Sequence, residues 1–505
     1  VLSASLTIDP AFEVAPVRRN LFGAFVEQAG RCVYGGLVEP GHPSADEHGL
    51  RGDVVELVRR LGISTVRYPG GNFVSGYRWE DGVGPVDERP ARLDLAWGST
   101  EPNTFGLNEF MTWTRRAEVE PMLAVNLGTR GVQEALDLLE YCNVRGGTRL
   151  SDLRRRHGVE QPHDVRMWCL GNEMDGTWQV GHKTAPEYGR LAAETARAMR
   201  MIDPELVLVA CGSSATFMDT FPSWERIVLE EAYEQIDLIS AHAYYCEKDG
   251  DLASFLACST DLEHQIETVV ATADYVRSLK RSSKQLNISF DEWNVWYQHE
   301  HAGEPRDWSR AGLPRLEDHY NVADAVVVGS LLIALLRHSD RVHAASLAQL
   351  VNVIAPIMTV EGGPAWRQST FHPFEQTSRL AAGVVLRTAI SAPSRPTEKY
   401  GDVSVIDAVA THDADAGTTA LFIINRSTAD EIEISIDTRA VGAARVRSAT
   451  VLSDTDPHAR PTVETERRFE PRPLKEIALG DGALRLTAPP VSWIAIELEG
   501  EDHDV

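Results

Sequence analysis

The stretch VRMWCLGNE, residues 165–173, is an apolar run that stops on Gly171, Asn172 and Glu173. Gly and Asn suit a turn for backbone reasons. A glutamate set directly behind a buried run has no such advantage, because desolvating a carboxylate is expensive. Read alone, the segment fits equally a strand that has reached the surface and a strand that delivers a carboxylate to a pocket. Seven further runs weigh on the choice: LFGAFVEQ (21–28), STVRYPGGN (64–72), PMLAVNLG (121–128), LVLVACGSS (206–214), IDLISAHAYY (236–245), LNISFDEWNVW (286–296) and RVHAASLAQLVN (341–352). All are apolar throughout rather than alternating, the pattern of parallel strands covered on both faces. Amphipathic segments at helical spacing separate them, among them 53–62, 185–203 and 262–280. Strand and helix repeated about eight times predict a (β/α)8 barrel. The rival is an open doubly wound sheet; no GxGxxG follows the first strand, which weakens its dinucleotide-binding form.

After about residue 385 the texture changes. TTALFIINRS (418–427), DEIEISIDTR (430–439), ARVRSATVLS (444–453) and VSWIAIELEG (491–500) are short, β-branched and often alternating. They predict an antiparallel β-sandwich of the jelly-roll type. The alternating opening, SASLTID (3–9), is expected to pair with it. The expected organisation is therefore an N-terminal strand segment 1–16 packing with the sandwich, a catalytic barrel 17–384, and a sandwich domain 385–505. The segment FEPRPLKE (469–476) reads as a loop.

The 505 residues carry 49 Lys and Arg against 74 Asp and Glu, a formal charge of −25. That sign argues against a nucleic-acid partner, whose phosphates need clustered cations, and gives no support to docking on anionic membranes. The most apolar long run, 322–340, is broken by Asp324 and reads as a buried helix rather than a membrane span. Six cysteines are scattered without a CxxC, which suggests reduced, buried thiols and a cytoplasmic protein.

Barrel enzymes take their reacting groups from the carboxyl ends of several strands. Here those ends carry Glu27, Asn72, Asn172 with Glu173, Tyr244, Glu292 and, near the last, Gln349. Six of eight strands ending on polar side chains argues for a shared pocket. Glu173 and Glu292 come from the fourth and seventh strands, on opposite walls, and facing carboxyl pairs perform glycosidic chemistry. Trp97, Trp178, Trp293, Trp296 and Tyr244 suit sugar faces, although for any single Trp core packing is the commoner role. His299 and His301 in QHEHAG (298–303) lack a third spaced ligand. No metal and no cofactor are expected.

At these residues the chain resembles the family 51 glycoside hydrolases, chiefly α-L-arabinofuranosidases. MWCLGNEMDG (167–176) and ISFDEWNVWY (288–297) carry the resemblance, with VRYPGGNFVSGYRWEDGVGP (66–85), NEFMTW (108–113) and LAQLVNVIAP (347–356). It covers essentially the whole chain. It implies an exo-acting retaining enzyme that releases terminal α-L-arabinofuranosyl units, with Glu173 as general acid/base and Glu292 as nucleophile. It implies that Asn172 holds the sugar 2-OH, that Glu27, Asn72, Tyr244 and Gln349 bind or orient the ring, and that Trp97 and Trp296 wall the subsites. The loops 246–261 and 299–315 are expected to shape the leaving-group side. An arabinofuranosyl oligosaccharide or polysaccharide is the implied partner, and a homo-oligomer, hexameric by resemblance, the implied assembly. For retention the two carboxyls should stand about 5–5.5 Å apart. A non-catalytic sugar-binding protein, and an endo-glucanase or β-xylosidase on the same scaffold, are the alternatives.

Overall fold

The structure is a computed structural model describing residues 2–304 and 306–500. Eight parallel strands close into a barrel: β1 (Gly23–Phe25), β2 (Thr65–Tyr68), β3 (Glu120–Val125), β4 (Met167–Leu170), β5 (Val207–Ala210), β6 (Leu238–Tyr245), β7 (Asn287–Val295) and β8 (Val342–Leu347). Each lies inside one of the eight apolar runs except β3, which begins one residue before its run, at Glu120. β8 pairs with β1 and β5 with β6, so every strand has two neighbours and no edge remains. Small apolar side chains fill the barrel interior beneath the site, among them Ala124, Cys169, Val209 and Ala344. All six cysteines are free, and all but the half-buried Cys246 are buried.

The helices follow the amphipathic segments. The helix Gly52–Leu61 ends on Gly62 at φ 77°, a left-handed cap that glycine adopts at no steric cost. The helix predicted from residue 262 begins three residues earlier, at Ser259. The helix Val322–Arg337 is apolar all round because it is covered all round: it lies between the barrel and the C-terminal strands.

Those strands form two packed sheets. In the larger, Val384–Leu386, Ile406–Asp413, Thr418–Asn425, Ser492–Gly500 and Ala443–Leu452 run antiparallel, with Glu13–Pro16 at one edge. Arg472–Pro473, inside the segment read as a loop, adds a two-residue strand at the other edge. In the smaller sheet Leu2–Thr7 lies parallel to Ile432–Asp437, the one departure from an all-antiparallel sandwich among the described residues. The inner faces share a core of alternating residues such as Ile434, Ile436, Leu421 and Ile423. Residues 501–505 of the expected sandwich segment lie outside the described residues.

Candidate active site

β4 ends at Leu170, and Gly171 at φ 92° turns the chain so that Asn172 and Glu173 enter the barrel mouth. Glu173 itself sits at φ 44°, a conformation that costs a non-glycine residue on the order of 1 kcal/mol. Across the barrel, β7 carries Glu292. The register between β6 and β7 slips by one residue, from Ser240 opposite Ser289 to His242 opposite Glu292. An extra residue of this kind bends a strand and re-aims its side chains. It lets the consecutive acids Asp291 and Glu292 both reach His242, which simple alternation would forbid.

These groups form one buried network. His242 Nδ1 lies 2.9 Å from Glu173 Oε1 and 3.7 Å from Glu292 Oε2, and Nε2 lies 2.9 Å from Asp291 Oδ1. Arg67, from β2, donates to Glu292 Oε1 at 2.8 Å and to Asn172 Oδ1 at 2.6 Å. Tyr244 donates its hydroxyl to Glu292 Oε2 at 2.7 Å, and Trp178 donates Nε1–H to Glu173 Oε2 at 2.9 Å. One oxygen of Glu173, one of Glu292 and a nitrogen of His242 all lie within 4.8 Å of one another. Such a cluster could seat a cation, but the buried guanidinium beside Glu292 puts a fixed positive charge there that opposes one.

Burial raises the Glu173 carboxyl above the ordinary range, and the charge of Glu292 raises it further; the His242 and Trp178 donors pull the other way. Burial alone would lower His242. The carboxylates of Glu292, Asp291 and Glu173 outweigh it and push the ring up to about 10, so the imidazole is charged at neutral pH.

Beside the acid pair, Glu27 accepts from Phe73 N–H at 2.7 Å, Trp97 Nε1 at 2.9 Å and Gln349 Nε2 at 3.0 Å. Burial pushes this carboxyl up to about 8 against the Phe73 and Trp97 donors. The two glycines of VRYPGGN make room for it: a Cβ on Gly71 would stand 2.5 Å from Glu27 Oε2. Asn72 accepts from Gln179 and, at 3.4 Å, from Asn172.

Eight of the nine residues picked out from sequence wall one cavity of about 850 Å³: Glu27, Asn72, Trp97, Glu173, Tyr244, Glu292, Trp296 and Gln349. Asn172 is buried just behind it, held by Arg67. Trp296 Nε1 and Gln349 Oε1 are buried without a protein partner. Trp178 is half exposed at the mouth. Trp293 is not in the cavity; it is fully buried and stacks on Phe374 with centroids 6.3 Å apart. It follows Glu292 and faces outward. His299 lines the cavity, while His301 is bound between Glu304 and Asp318, at 2.8 and 2.6 Å.

Sequence reasoning missed Arg67, His242 and Asp291. A charged residue inside an apolar run was the available signal for Arg67, and its place two residues before Tyr244, on the same strand face, for His242. Asp291 gave the same signal as Arg67, but not its direction, because the register slip that turns it inward is a tertiary feature.

The chain is similar to known proteins along nearly its whole length. The family model described as α-L-arabinofuranosidase 1 domain matches residues 57–261, and that of the α-L-arabinofuranosidase C-terminal domain matches 291–492. An intracellular exo-α-(1→5)-L-arabinofuranosidase of Streptomyces lividans is 56% identical over 98% of this chain and 75% of its own length. The chain belongs to the family 51 α-L-arabinofuranosidases. It is thus a glycoside hydrolase. An exo-α-(1→6)-L-arabinofuranosidase of Bifidobacterium longum is 52% identical over 98% of this chain and 97% of its own. The solved family 51 α-L-arabinofuranosidase AbfB of Bifidobacterium longum superposes with a TM-score of 0.96 at 47% identity, covering 99% of this chain and all of that one. The Thermotoga maritima α-L-arabinofuranosidase arabinose complex gives 0.88 at 34% identity, over 98% of this chain and all of that one.

Proposed function

We propose that this family 51 hydrolase removes terminal, non-reducing α-L-arabinofuranosyl units from arabinose-containing oligosaccharides and polysaccharides, with retention, by double displacement. The observation that carries the reading is the approach of Glu173 and Glu292, oxygen to oxygen within 4.8 Å. Inverting enzymes need a gap of roughly 6.5–9.5 Å to seat a water beside the sugar, and retaining ones about 5–5.5 Å.

In the first step a Glu292 oxygen attacks the anomeric carbon. The bond to the leaving oxygen breaks, and that oxygen takes the Glu173 proton and departs as an alcohol. Tyr244 and Arg67 hold the attacking carboxylate in place. Once Glu292 is an ester its negative charge is gone, while the donors His242 and Trp178 remain. Glu173 therefore loses affinity for its proton at the moment it must act as a base. It then takes a proton from water, which attacks the anomeric carbon and frees Glu292. Glu27, Asn72 and Gln349 hold the ring, Asn172 the hydroxyl beside the reacting carbon, and Trp97 and Trp296 wall it.

Exo action is supported by the names of the relatives from Streptomyces lividans and Bifidobacterium longum, both exo-acting arabinofuranosidases. Relatives named as intracellular enzymes support a cytoplasmic place for this chain. A homo-oligomer, hexameric by resemblance, is proposed on family grounds.

The test uses Glu173→Ala and Glu292→Ala on 4-nitrophenyl α-L-arabinofuranoside. Loss of the acid/base costs roughly 10²–10⁴-fold. Added azide should restore turnover of Glu173→Ala with a glycosyl azide of retained configuration, since azide replaces the activated water and needs no base; any azide product of Glu292→Ala should be inverted, since azide then attacks the substrate directly. The opposite configurations, or no azide product from Glu173→Ala while it remains folded, contradict the assigned roles.

A further inference from the structure

The cavity exceeds what a single pentose requires. At about 850 Å³ it lies toward the upper end of the range for small-ligand sites, roughly 300–1,000 Å³. Past Tyr244 it continues over the end of β6 into a lobe whose walls come from distant parts of the chain. One wall is the segment after β6, with Ser254, Phe255 and Asp261. The other is the turn of a hairpin, Ser394–Thr397 paired with Gly401–Ser404, which presents Lys399 and Tyr400.

The hairpin is fastened by its backbone. Lys399 N–H donates to Ser254 Oγ at 3.1 Å, and Tyr400 N–H to Thr397 Oγ1 at 2.9 Å. The Lys399 side chain is exposed, and Tyr400 rests half-buried against the core with part of its surface on the cavity. The Lys399 ammonium stands over the Tyr400 ring, 5.0 Å from its centroid, and has no acidic partner among the described residues. A sugar needs this combination: an aromatic face for its C–H edge and a cationic donor with unspent hydrogens for its hydroxyls.

We propose that this lobe binds the second sugar on the leaving-group side, with Tyr400 as platform and Lys399 as donor. The C-terminal hairpin is then part of the specificity apparatus of the barrel. The proposal rests on the hydrolytic reading above, and its test separates the two.

The quantity to measure is the ratio of kcat/KM on α-1,5-arabinotriose to kcat/KM on 4-nitrophenyl α-L-arabinofuranoside. In Lys399→Ala/Tyr400→Ala this ratio should fall roughly tenfold, chiefly through KM. Arabinobiose, which ends at the first leaving-group position, should follow the aryl substrate instead. Tyr400→Phe keeps the platform and should keep the wild-type ratio. A ratio unchanged in the double variant, or lowered as far by Tyr400→Phe as by alanine, overturns the proposal. Lys399→Glu carries the same test if the double variant does not fold, because its side chain is exposed and its backbone bond is retained. A wild-type enzyme that leaves the aryl arabinofuranoside intact would instead overturn the hydrolytic reading.

Discussion

Removing the His242 ring takes a positive charge from a site that holds three carboxyls within its reach. Glu173 then loses the group that lowers its proton affinity, while burial and Glu292 still raise it. The basic limb of the kcat/KM profile, which reports the acid in free enzyme, should move to higher pH in His242→Ala. Turnover should fall roughly 10²-fold as Glu173 loses its orientation. A limb that stays in place or moves down would mean that Nδ1 carries no charge. Arg67 acts on stability as well. Burial raises Asp291, but the guanidinium and His242 outweigh it and hold this carboxyl below the ordinary range. Its contribution is complete above the unfolded value of about 3.9 and is lost as pH falls through the lower folded value. Arg67→Met removes the larger of those two stabilising charges, so acid unfolding should begin at higher pH. The variant should also lose roughly 3–5 kcal/mol near neutrality, because buried acids are left unpaired. Urea unfolding across the pH range checks both.

At the scale of elements, the helix Val322–Arg337 shows packing overriding propensity. Ala in place of Gly329 would favour the isolated helix by about 1 kcal/mol. In the folded chain a Cβ there would stand 2.3 Å from Trp493 Cε3. That ring cannot give way: it stacks on Phe422 and donates Nε1–H to Gln376. Overlap in a packed core typically costs 1–3 kcal/mol. Gly329→Ala should therefore destabilise by up to about 2 kcal/mol in denaturant unfolding, with activity per folded molecule unchanged. A stabilised variant would show that the helix and the C-terminal sheet can separate at this point. The same helix was legible in sequence as buried, though not what buries it. Apolar residues on every side say that a segment is covered, and never by which partner.

At the scale of the molecule, barrel and sandwich share one core. Phe422, Ile424, Trp493 and Ala495 belong to the same buried cluster as the barrel helices. Across that boundary Asp407 pairs with Arg337, and Arg426, which also pairs with Asp407, donates to Ser259 and Ser330. A chain ending at residue 384 would expose the helix Val322–Arg337 and leave Arg337 without Asp407. It should be recovered aggregated, and the full chain should unfold in a single calorimetric transition. Two resolved transitions, or a soluble active fragment, would show the halves to be independent.

The sequence by itself determined the barrel and the positions of its eight strands, because fully buried parallel strands must be apolar along their length and helices must alternate with them. It also determined which side chains stand at the strand ends, hence Glu173 and Glu292 and most of the cavity wall, since chain order and strand polarity are enough to bring those ends together. Only the tertiary structure decided the proton partners. The slip between β6 and β7 turns Asp291 inward beside Glu292; His242 owes its charge to acids that lie far away along the chain, and Arg67 finds its partners among them. Local periodicity cannot encode a register fixed by neighbouring strands, nor a charge state fixed by burial among distant groups.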